Sequence, residues 1–304
     1  MQLEIHVKSD VGRVRKGNED NFLLLNLDSA RFELGGRNEV SASFAQVEIK
    51  KAGMVLAVSD GMGGALAGEV ASQMAVEAVR DVMLGNDPEI TLNPDKEESL
   101  IQRLQEATLH ANRAVFRKGR SDPQFNGMGA TFTGAAICDE TLDFIQVGDS
   151  RGYIVRGDII EQVTKDQSLV QQLIDSGQIA AEDAERHHLR NVILQALGAQ
   201  SEIFPVSNRF QPCQGDILLL CSDGLSNKLP QEDLKYYVTR FSEDLGQACS
   251  ELVREANVRG GEDNITVILA RFFGDDLPSS EGHPISIMPI AVDGFGADDE
   301  TLIP

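Results

Sequence analysis

Short apolar segments separated by turns occupy much of the chain. Most alternate with polar residues, as strands with one buried face do, but residues 54–59 (MVLAVS) are almost wholly apolar, as in a strand buried on both faces. Gly157-Asp158 has the composition of a two-residue hairpin turn. The predicted strands are 3–7, 21–27, 44–49, 54–59, 130–138, 142–147, 152–156, 158–163, 202–210, 216–222 and 264–273.

Four longer stretches have a helical period instead. Between Gly64 and Leu84 the apolar residues form one stripe. Asn93-Pro94 has the form of a cap and a first-turn proline, and predicts a second helix that runs to about Lys118. Two more helices are predicted at residues 231–240 and 242–257.

Two regions differ from this pattern. Residues 164–200 carry two short helical pieces between strands, and residues 275–304 hold seven carboxylates, no basic residue and several prolines and glycines. The polar parts of this C-terminal stretch bury too little surface to offset the cost of ordering, so we expect them to be mobile. Its apolar patch, Ile285 to Val292, should dock on the rest of the chain or on a partner. Pro289 lacks a backbone donor and would confine the patch to an edge strand or an extended segment.

This order of elements predicts an α+β fold. Two long helices beside some ten strands, joined mostly by hairpins, indicate antiparallel sheets. We expect one folded domain at residues 1–274 and an acidic C-terminal extension at 275–304.

Composition and charge narrow the functional classes. With 27 basic and 48 acidic residues the net charge is −21, which disfavours binding to nucleic acid or to an anionic membrane surface. The four cysteines lack metal or redox spacing, and the N-terminus has no apolar signal region. These features predict a cytoplasmic protein with reduced thiols.

One pattern recurs at the ends of the apolar strands. Asp60, Asp149 and Asp223 each follow an apolar strand and a small residue, whereas Asp263 precedes a strand in RGGEDNIT. Carboxylates gathered at one rim would repel each other unless cations lay between them, and oxygen ligands without paired Cys or His select Mg²⁺ or Mn²⁺. Two such ions can activate a bridging water to attack phosphorus. A single Asp-Gly at a strand end is more often only a turn, and spacing alone does not show convergence.

A charged loop near the N-terminus is a second candidate site. Arg13, Arg15 and Lys16 stand beside Glu19 and Asp20 in SDVGRVRKGNEDNF. A guanidinium next to a metal–carboxylate site would suit bidentate binding of phosphate. A solvated charged loop explains the same residues, so both interpretations remain open.

Six motifs together carry a resemblance to a known family. In order they are RVRKGNEDN, VSDGMGG, MGATFTG, VGDSRGY, SDGLSN and GGEDNIT. The set resembles the metal-dependent protein phosphatase family, type 2C (PPM), in its bacterial form, over about residues 5–272. The resemblance implies a sandwich of two antiparallel β-sheets flanked by helices on both outer faces, with a flap at about 164–200.

The resemblance also implies a role for each matching residue. Asp60 would bridge two catalytic Mn²⁺ or Mg²⁺ ions, the Gly61 carbonyl would bind one, and Asp223 and Asp263 would complete the other. Asp149, with Asp223, would hold a third ion. Arg15 would bind the substrate phosphate, and Glu19 and Asp20 would bind metal-coordinated waters from a second layer.

The sequence departs from the family pattern at two places. Met62 stands where many eukaryotic relatives have a histidine proposed as general acid, so the leaving group must be protonated by another group. At the start of the flap, the usual Asp-His-Ser is Asp166-Gln167-Ser168, a change that affects substrate handling rather than the metal ligands.

The function implied is hydrolysis of phosphoserine and phosphothreonine in proteins by metal-activated water. We expect a cytoplasmic signalling enzyme, a monomer, that acts on phosphoproteins and is associated with serine/threonine kinases and their substrates. Two alternatives stay open: a phosphatase dedicated to an anti-sigma-factor antagonist, and a catalytically silent relative that binds phosphoproteins. The full set of aspartates favours an enzyme.

Overall fold

The computed structural model describes residues 1–36, 38–89, 98–184 and 186–290, and within these ranges the chain forms fourteen β-strands and seven α-helices. The strands are Gln2–Asp10 (β1), Asp20–Asn26 (β2), Arg31–Leu34 (β3), Val40–Glu48 (β4), Met54–Met62 (β5), Gly129–Ala130 (β6), Phe132–Cys138 (β7), Thr141–Val147 (β8), Arg151–Arg156 (β9), Ile159–Gln162 (β10), Val206–Phe210 (β11), Ile217–Cys221 (β12), Ile265–Phe273 (β13) and Ile287–Pro289 (β14). The helices are Ala65–Met83 (α1), Leu100–Ser121 (α2), Leu169–Asp175 (α3), Ala181–Ala184 (α4), Asp223–Ser226 (α5), Gln231–Arg240 (α6) and Leu245–Val258 (α7), with a 3-10 turn at Pro123–Phe125.

The strands form two antiparallel sheets. The first has the order β10-β9-β12-β13-β1-β4, and the second has the order β14-β11-β8-β7-β5-β2-β3 with β6 paired to β5. Apolar side chains from both sheets, among them Ile5, Leu56 and Phe144, form a core between them. Helices α1 and α2 cover the outer face of the second sheet, and α6 and α7 cover that of the first. The predicted sandwich flanked by helices is confirmed.

The continuous apolar run in β5 is explained by burial on both faces. Leu56 and Val58 point into the core between the sheets, whereas Val55 and Ala57 pack under α1 and α2. The strand continues beyond Asp60, where the sequence predicted its end, because β6 pairs with Gly61 and Met62.

Two predicted boundaries differ in the structure. Helix α2 starts at Leu100, where the Ser99 hydroxyl accepts from the Gln102 amide and the Gln102 side chain accepts from the Ser99 amide. The predicted cap at Asn93-Pro94 lies outside the described residues. Strand β11 begins at Val206 rather than at residue 202, because the Gln195 side chain binds the backbone of Phe204 (2.7 and 3.3 Å).

The C-terminal stretch is attached to the sandwich as far as it is described. Strand β14 pairs with the edge strand β11, and Ile285 and Ile287 pack against the core between the sheets. Docking of the apolar patch is therefore confirmed up to Ile290, and the rest of the patch lies outside the described residues.

The polar part of this stretch was expected to be mobile, but residues 276–284 are bound. The Arg156 guanidinium donates to the carbonyls of His283 (3.1 Å) and Pro284 (3.0 Å), and the Gln214 amide donates to the Pro278 carbonyl (2.9 Å). Arg156 is itself buried in a bidentate ion pair with Asp216. Leu277 is also buried in the core between the sheets, so one apolar side chain and several backbone contacts attach a segment whose composition is otherwise polar.

Among the described residues, no helix has both the length and the apolar character needed to cross a membrane.

Candidate active site

The topology brings the predicted aspartates to one end of the sandwich. Asp60 lies in β5 and Asp149 follows β8, both in the second sheet, whereas Asp223 follows β12 and Asp263 precedes β13 in the first sheet. Asp149, Asp223 and Asp263 are all close enough to raise the pKa of Asp60 by repulsion. The four aspartates therefore lie near one another at this end of the sandwich, which their spacing in the sequence could not show.

The main chain holds Asp60 firmly. Its amide donates to the Thr131 hydroxyl (2.9 Å), and its carbonyl accepts from the Thr131 amide (2.8 Å). In the pairing of β2 with β5, Asp20 stands directly opposite Asp60. The two carboxylates are therefore neighbours by strand register, so a one-residue slip would separate them.

Burial and mutual repulsion make these carboxylates costly to ionise. Burial first, then the neighbouring charges, raises the pKa of Asp60 well above its ordinary value and that of Asp149 to about 8. The same causes raise the pKa of Asp20 to about 7 and also raise that of Asp223. A group of acids held against this repulsion is typical of a cation-binding or catalytic site.

Three carboxylate oxygens of this group are buried and have no hydrogen-bond partner among the described residues. They are Asp20 Oδ1, Asp149 Oδ1 and Asp223 Oδ1. An unpaired buried oxygen costs free energy that a bound cation would recover. The donors are carboxylate oxygens, which fit Mg²⁺ or Mn²⁺. Within the described ranges, however, no three acidic, imidazole or thiol side chains already converge on one point. The residues present fit hard cations, with the carboxylates grouped around the site.

Arg15 lies at the edge of this group. Its guanidinium donates to Asp263 Oδ2 (2.9 Å) and to Glu19 Oε1 (3.4 Å), and 43% of its side chain remains exposed. The sequence left open whether Arg15 belonged to a solvated loop. The structure places it against the acids, with part of the guanidinium free to bind an anion.

Glu19 is buried where helix α1 approaches β5. Its carbonyl accepts from the Gly61 amide (3.2 Å) and from the Ser72 hydroxyl (2.5 Å). A methyl group at Gly68 would overlap Glu19 Oε2 and would lie 2.9 Å from the Gly61 carbonyl oxygen. Glycine at position 68 is therefore required by close packing of α1 on the Asp60-Gly61 backbone.

Asp20 ends a buried chain of polar side chains. The Ser222 hydroxyl donates to Asp20 Oδ2 (2.6 Å), and the Thr266 amide donates to the Ser222 hydroxyl (2.9 Å). This chain orients Oδ2 and leaves the buried Oδ1 without a hydrogen-bond partner among the described residues. Ser222 precedes Asp223, so the same short segment holds both acids in place.

Asn264 is a positioning residue that sequence reasoning missed. Its side chain accepts from the Glu19 amide (2.8 Å) and donates to the carbonyls of Val11 (2.8 Å) and Gly17 (3.0 Å). It therefore fixes the loop that carries Arg15 next to Asp263. Its position directly after Asp263 in GGEDNIT was the feature of the sequence that could have indicated this role.

The comparisons with known proteins identify the family. The profile described as "Protein phosphatase 2C" matches residues 42–256. The chain belongs to the protein phosphatase 2C family. This phosphatase 2C chain is 35% identical over 263 residues to "Serine/threonine phosphatase stp" of Listeria innocua, covering 86% of this chain and 93% of the relative.

Solved structures agree with this assignment. The chain is similar to the serine/threonine phosphatase PstP/Ppp of Mycobacterium tuberculosis, with a TM-score of 0.71, 31% identity and coverage of 90% and 100% of the two chains. It is also similar to the catalytic domain of PstP in complex with two manganese ions, with a TM-score of 0.68, 29% identity and coverage of 90% and 100%. The fold expected from the resemblance is shared with these phosphatases.

Proposed function

We infer that this protein is a metal-dependent phosphatase that hydrolyses phosphoserine and phosphothreonine in proteins. The observation that carries the inference is the group of aspartates with buried, unpaired carboxylate oxygens, beside a partly exposed arginine. Relatives named serine/threonine phosphatases cover most of this chain, which supports the same reaction class.

The proposed metal ligands are the residues that the family resemblance singled out. Asp60 and the Gly61 carbonyl, with Asp223 and Asp263, would hold two Mn²⁺ or Mg²⁺ ions, and Asp149 with Asp223 would hold a third. The unpaired Oδ1 atoms of Asp149 and Asp223 support their inclusion. When bound, such ions lower the pKa of a coordinated water and so supply the nucleophile.

Arg15 is the proposed phosphate-binding residue. Its planar guanidinium can bind two phosphate oxygens at once, and its exposed part faces solvent beside Asp263. Contact with Asp263 and Glu19 holds the guanidinium in position before substrate arrives, which reduces the ordering cost of binding.

Glu19 and Asp20 are proposed to bind and orient water at the site. Both are almost fully buried. Asn264, Gly61 and Ser72 bond the backbone of Glu19, and the Asp20 amide donates to the Asn18 side chain. Met62 follows Gly61 and has no titratable group. Protonation of the leaving oxygen is therefore assigned to a group other than residue 62.

We extend the proposal to the cellular context. The four cysteines lie in the described part of the chain and are free thiols, three of them buried, which supports a reducing compartment such as the cytoplasm. The substrates proposed are phosphoproteins made by serine/threonine kinases, and the active unit proposed is a monomer. A catalytically silent relative is disfavoured because every expected aspartate is present.

The test is hydrolysis of phosphoserine and phosphothreonine peptides by the purified full chain. We expect turnover with Mn²⁺ or Mg²⁺ and none in EDTA. Full turnover in metal-free buffer would contradict the metal mechanism. Binding of phosphopeptide without hydrolysis in the presence of Mn²⁺ would instead support a silent binding protein.

A further inference from the structure

The edge strands of the two sheets differ in how well they are protected from pairing with another chain. Among the described strands, the edges are β3 and β14 in the second sheet and β10 and β4 in the first. Strand β3 has four residues, of which Arg31 and Glu33 are charged, and β14 contains Pro289. Strand β10 also has four residues, and its Ile160 carbonyl accepts from the Gln231 side chain (2.7 Å). Short length, charges and prolines all disfavour further pairing at an edge.

Strand β4 lacks this protection along most of its length. It has nine residues, and none from Val40 to Val47 is charged or a proline, in a chain of which 25% of the residues are charged. One irregularity interrupts it, because Gln46 has a φ of 51° and the pairing with β1 shifts register between Leu3 and Ile5. This bulge limits the regular edge to Val40–Phe44, which is a usual length for a paired strand.

Two serines of this edge point their backbone hydrogen-bonding groups away from β1. The Ile49 amide donates to the Met1 carbonyl (3.1 Å), and these groups alternate in direction along a strand, so the odd-numbered residues of β1 face β4. In the regular segment their partners on β4 are the even-numbered residues. The N–H and C=O groups of Ser41 and Ser43 therefore lie on the free side of the strand, where an extended chain can bond to them.

The apolar face of the edge is incompletely covered. Val40 and Ala42 are half-buried and pack against the core between the sheets. Further along the strand, the Arg31 guanidinium lies over the Phe44 ring (4.2 Å) and covers it. A strand added beside β4 would cover Val40 and Ala42 if its side chains on this face were apolar.

The opposite face of the edge borders a polar cavity of about 250 Å³ between the sheet and α7. The sheet residues that line it include Ser41, Ser43, His6 and Lys8. His6 lies against Glu4 (3.2 Å) and Lys8 against Glu39 (2.9 Å), so the basic groups already have acidic partners. The cavity therefore suits uncharged polar side chains, which an added strand would place at positions alternating with its apolar ones.

The open edge begins at the active-site end of the first sheet. Val40 pairs with Ser9 of β1. The next residue of β1, Asp10, pairs with the first residue of β13, shortly after Asp263. Arg15 follows Ser9 by six residues, which span at most about 22 Å. A peptide whose phosphate is bound at Arg15 can therefore also reach β4.

We propose that Val40–Phe44 is a docking edge for an extended segment of the phosphoprotein substrate. The proposal rests on the proposed function, since it takes the phosphate of the same substrate chain to lie at Arg15. The segment adds a seventh strand to the first sheet, with apolar side chains toward Val40 and Ala42 and uncharged polar ones toward the cavity.

The orientation of the added strand follows from the sheet. Every strand pair of the first sheet is antiparallel, and β4 runs away from the active-site end, which is where Val40 lies. A segment antiparallel to β4 therefore runs toward the active site. The docking segment precedes the phosphorylated residue in the substrate sequence.

The test uses phosphothreonine peptides that differ only in the docking segment. The first carries the segment Val-Thr-Val-Thr-Val, a Gly-Ser linker of about ten residues and then the phosphothreonine. The second has the same parts in the reverse order, the third has proline at the centre of the segment, and the fourth lacks the segment. KM is measured for each with the full chain and Mn²⁺. Fluorescence anisotropy of the unphosphorylated first peptide measures docking without turnover.

Two variants of the protein identify the edge. Ser43→Pro removes an outward N–H and leaves the bonds to β1, whereas Ser43→Thr keeps that donor and the hydroxyl. We expect the first peptide to have a KM about 5- to 20-fold lower than the other three, because a few backbone hydrogen bonds are added within one chain. Ser43→Pro should abolish this difference and Ser43→Thr should keep it. The comparison of peptides on the unaltered protein does not depend on the folding of either variant.

Several results would overturn the proposal, and they differ in what else they remove. Equal KM for the first and third peptides would overturn docking while the phosphatase function stands, and so would a difference that persists in Ser43→Pro. A parent dimer that becomes a monomer in Ser43→Pro would show that a second copy of the chain occupies the edge, and substrate docking would be wrong. If no peptide is hydrolysed, the proposed function fails, and the anisotropy measurement then decides whether the edge binds an extended chain.

Discussion

At the scale of single residues, grouping the aspartates opposes folding when no cation is bound. Asp60 lies among Asp20, Asp149, Asp223 and Asp263, and protein donors within the described residues leave the buried Oδ1 atoms of Asp20, Asp149 and Asp223 unpaired. Because their pKa values are raised, these aspartates stay protonated in the folded protein at pH values at which the unfolded chain has already released the same protons. Without metal, stability should therefore fall as the pH rises from about 4, the unfolded value, through about 8.

Asp60→Asn should restore part of the stability that the metal-free protein loses as the pH rises. We expect the variant to lose turnover but to be more stable than the metal-free parent, because each pKa unit of elevation corresponds to about 1.4 kcal/mol lost on ionisation. The gain should be larger at pH 8 than at pH 5.5. Chemical denaturation in EDTA at both pH values measures it, with Asp158→Asn on the exposed hairpin turn as the control. A variant that is less stable than the parent at pH 8 would show that Asp60 contributes structure rather than repulsion.

Arg15 should act mainly on substrate binding. Arg15→Ala should raise KM about 10- to 100-fold, as expected for a lost charge-assisted contact of ~1.5–3 kcal/mol, with a smaller effect on kcat. Arg15→Lys should recover part of the loss, because an ammonium lacks the planar fork. Steady-state kinetics on a phosphopeptide distinguishes the two parameters.

Arg13→Ala provides the matched control for this prediction. Arg13 is exposed in the same loop, and its amide donates to the Gly261 carbonyl (2.7 Å), a bond that alanine keeps. An unchanged KM in Arg15→Ala, or an equal increase in Arg13→Ala, would assign Arg15 to the general charge of the loop.

The sequence predicted the residues of the site better than the bonds that position them. Asp60, Asp149 and Asp223 follow apolar strands, so local pattern was sufficient to select them. Asn264 acts by bonding the amide of Glu19, 245 positions earlier, and Gln167 bonds Gly148, 19 positions earlier. Such contacts depend on the completed fold and leave no local periodicity.

At the scale of elements, the fit of α1 on β5 determines the shape of the site. Gly68 lies where the helix crosses the Asp60-Gly61 backbone, and its α-carbon faces the Glu19 carboxylate. In most helices, alanine in place of glycine is worth about 1 kcal/mol in favour of the folded state. At position 68 the steric overlap should instead make alanine destabilising.

Gly68→Ala should destabilise the protein by about 1–3 kcal/mol and reduce turnover, because α1 must move away from Glu19 and Gly61. Gly119→Ala in α2 is the control, since a methyl group there would meet the nearest atoms at 3.2 Å, one of them the flexible Met128 side chain. Thermal denaturation and turnover are compared for the two variants. Equal stability and activity in both would show that the close approach at Gly68 is not needed.

Element boundaries were less predictable than element types. The strand β5 was correctly identified because burial on both faces leaves a continuous apolar run. The short strand β3, at Arg31–Leu34, has two exposed and two half-buried residues, so it carried no recognisable pattern. The start of α2 depends on the reciprocal bonds of Ser99 and Gln102, which compete with any cap earlier in the sequence.

At the scale of the whole molecule, the C-terminal stretch completes the second sheet. Strand β14 covers the edge strand β11, and the Ile290 amide donates to the Ser207 carbonyl (2.9 Å). Backbone N–H groups alternate in direction along a strand, so an N–H at position 289 would point away from β11. Proline there removes a donor from the new edge, which disfavours pairing with another chain.

Deletion of residues 275–304 should lower stability and leave metal-dependent turnover intact. Burial of Ile285 and Ile287 and the bonds from Arg156 favour attachment, whereas ordering of the segment opposes it. We expect a net loss of about 1–3 kcal/mol, a fall in Tm of several degrees. A chain ending at Ile290 keeps β14 and should retain the parent Tm. The aspartates and Arg15 lie on other segments, so kcat and KM with Mn²⁺ should not change in either truncation. Loss of turnover without loss of Tm would place the C-terminal stretch in the active site.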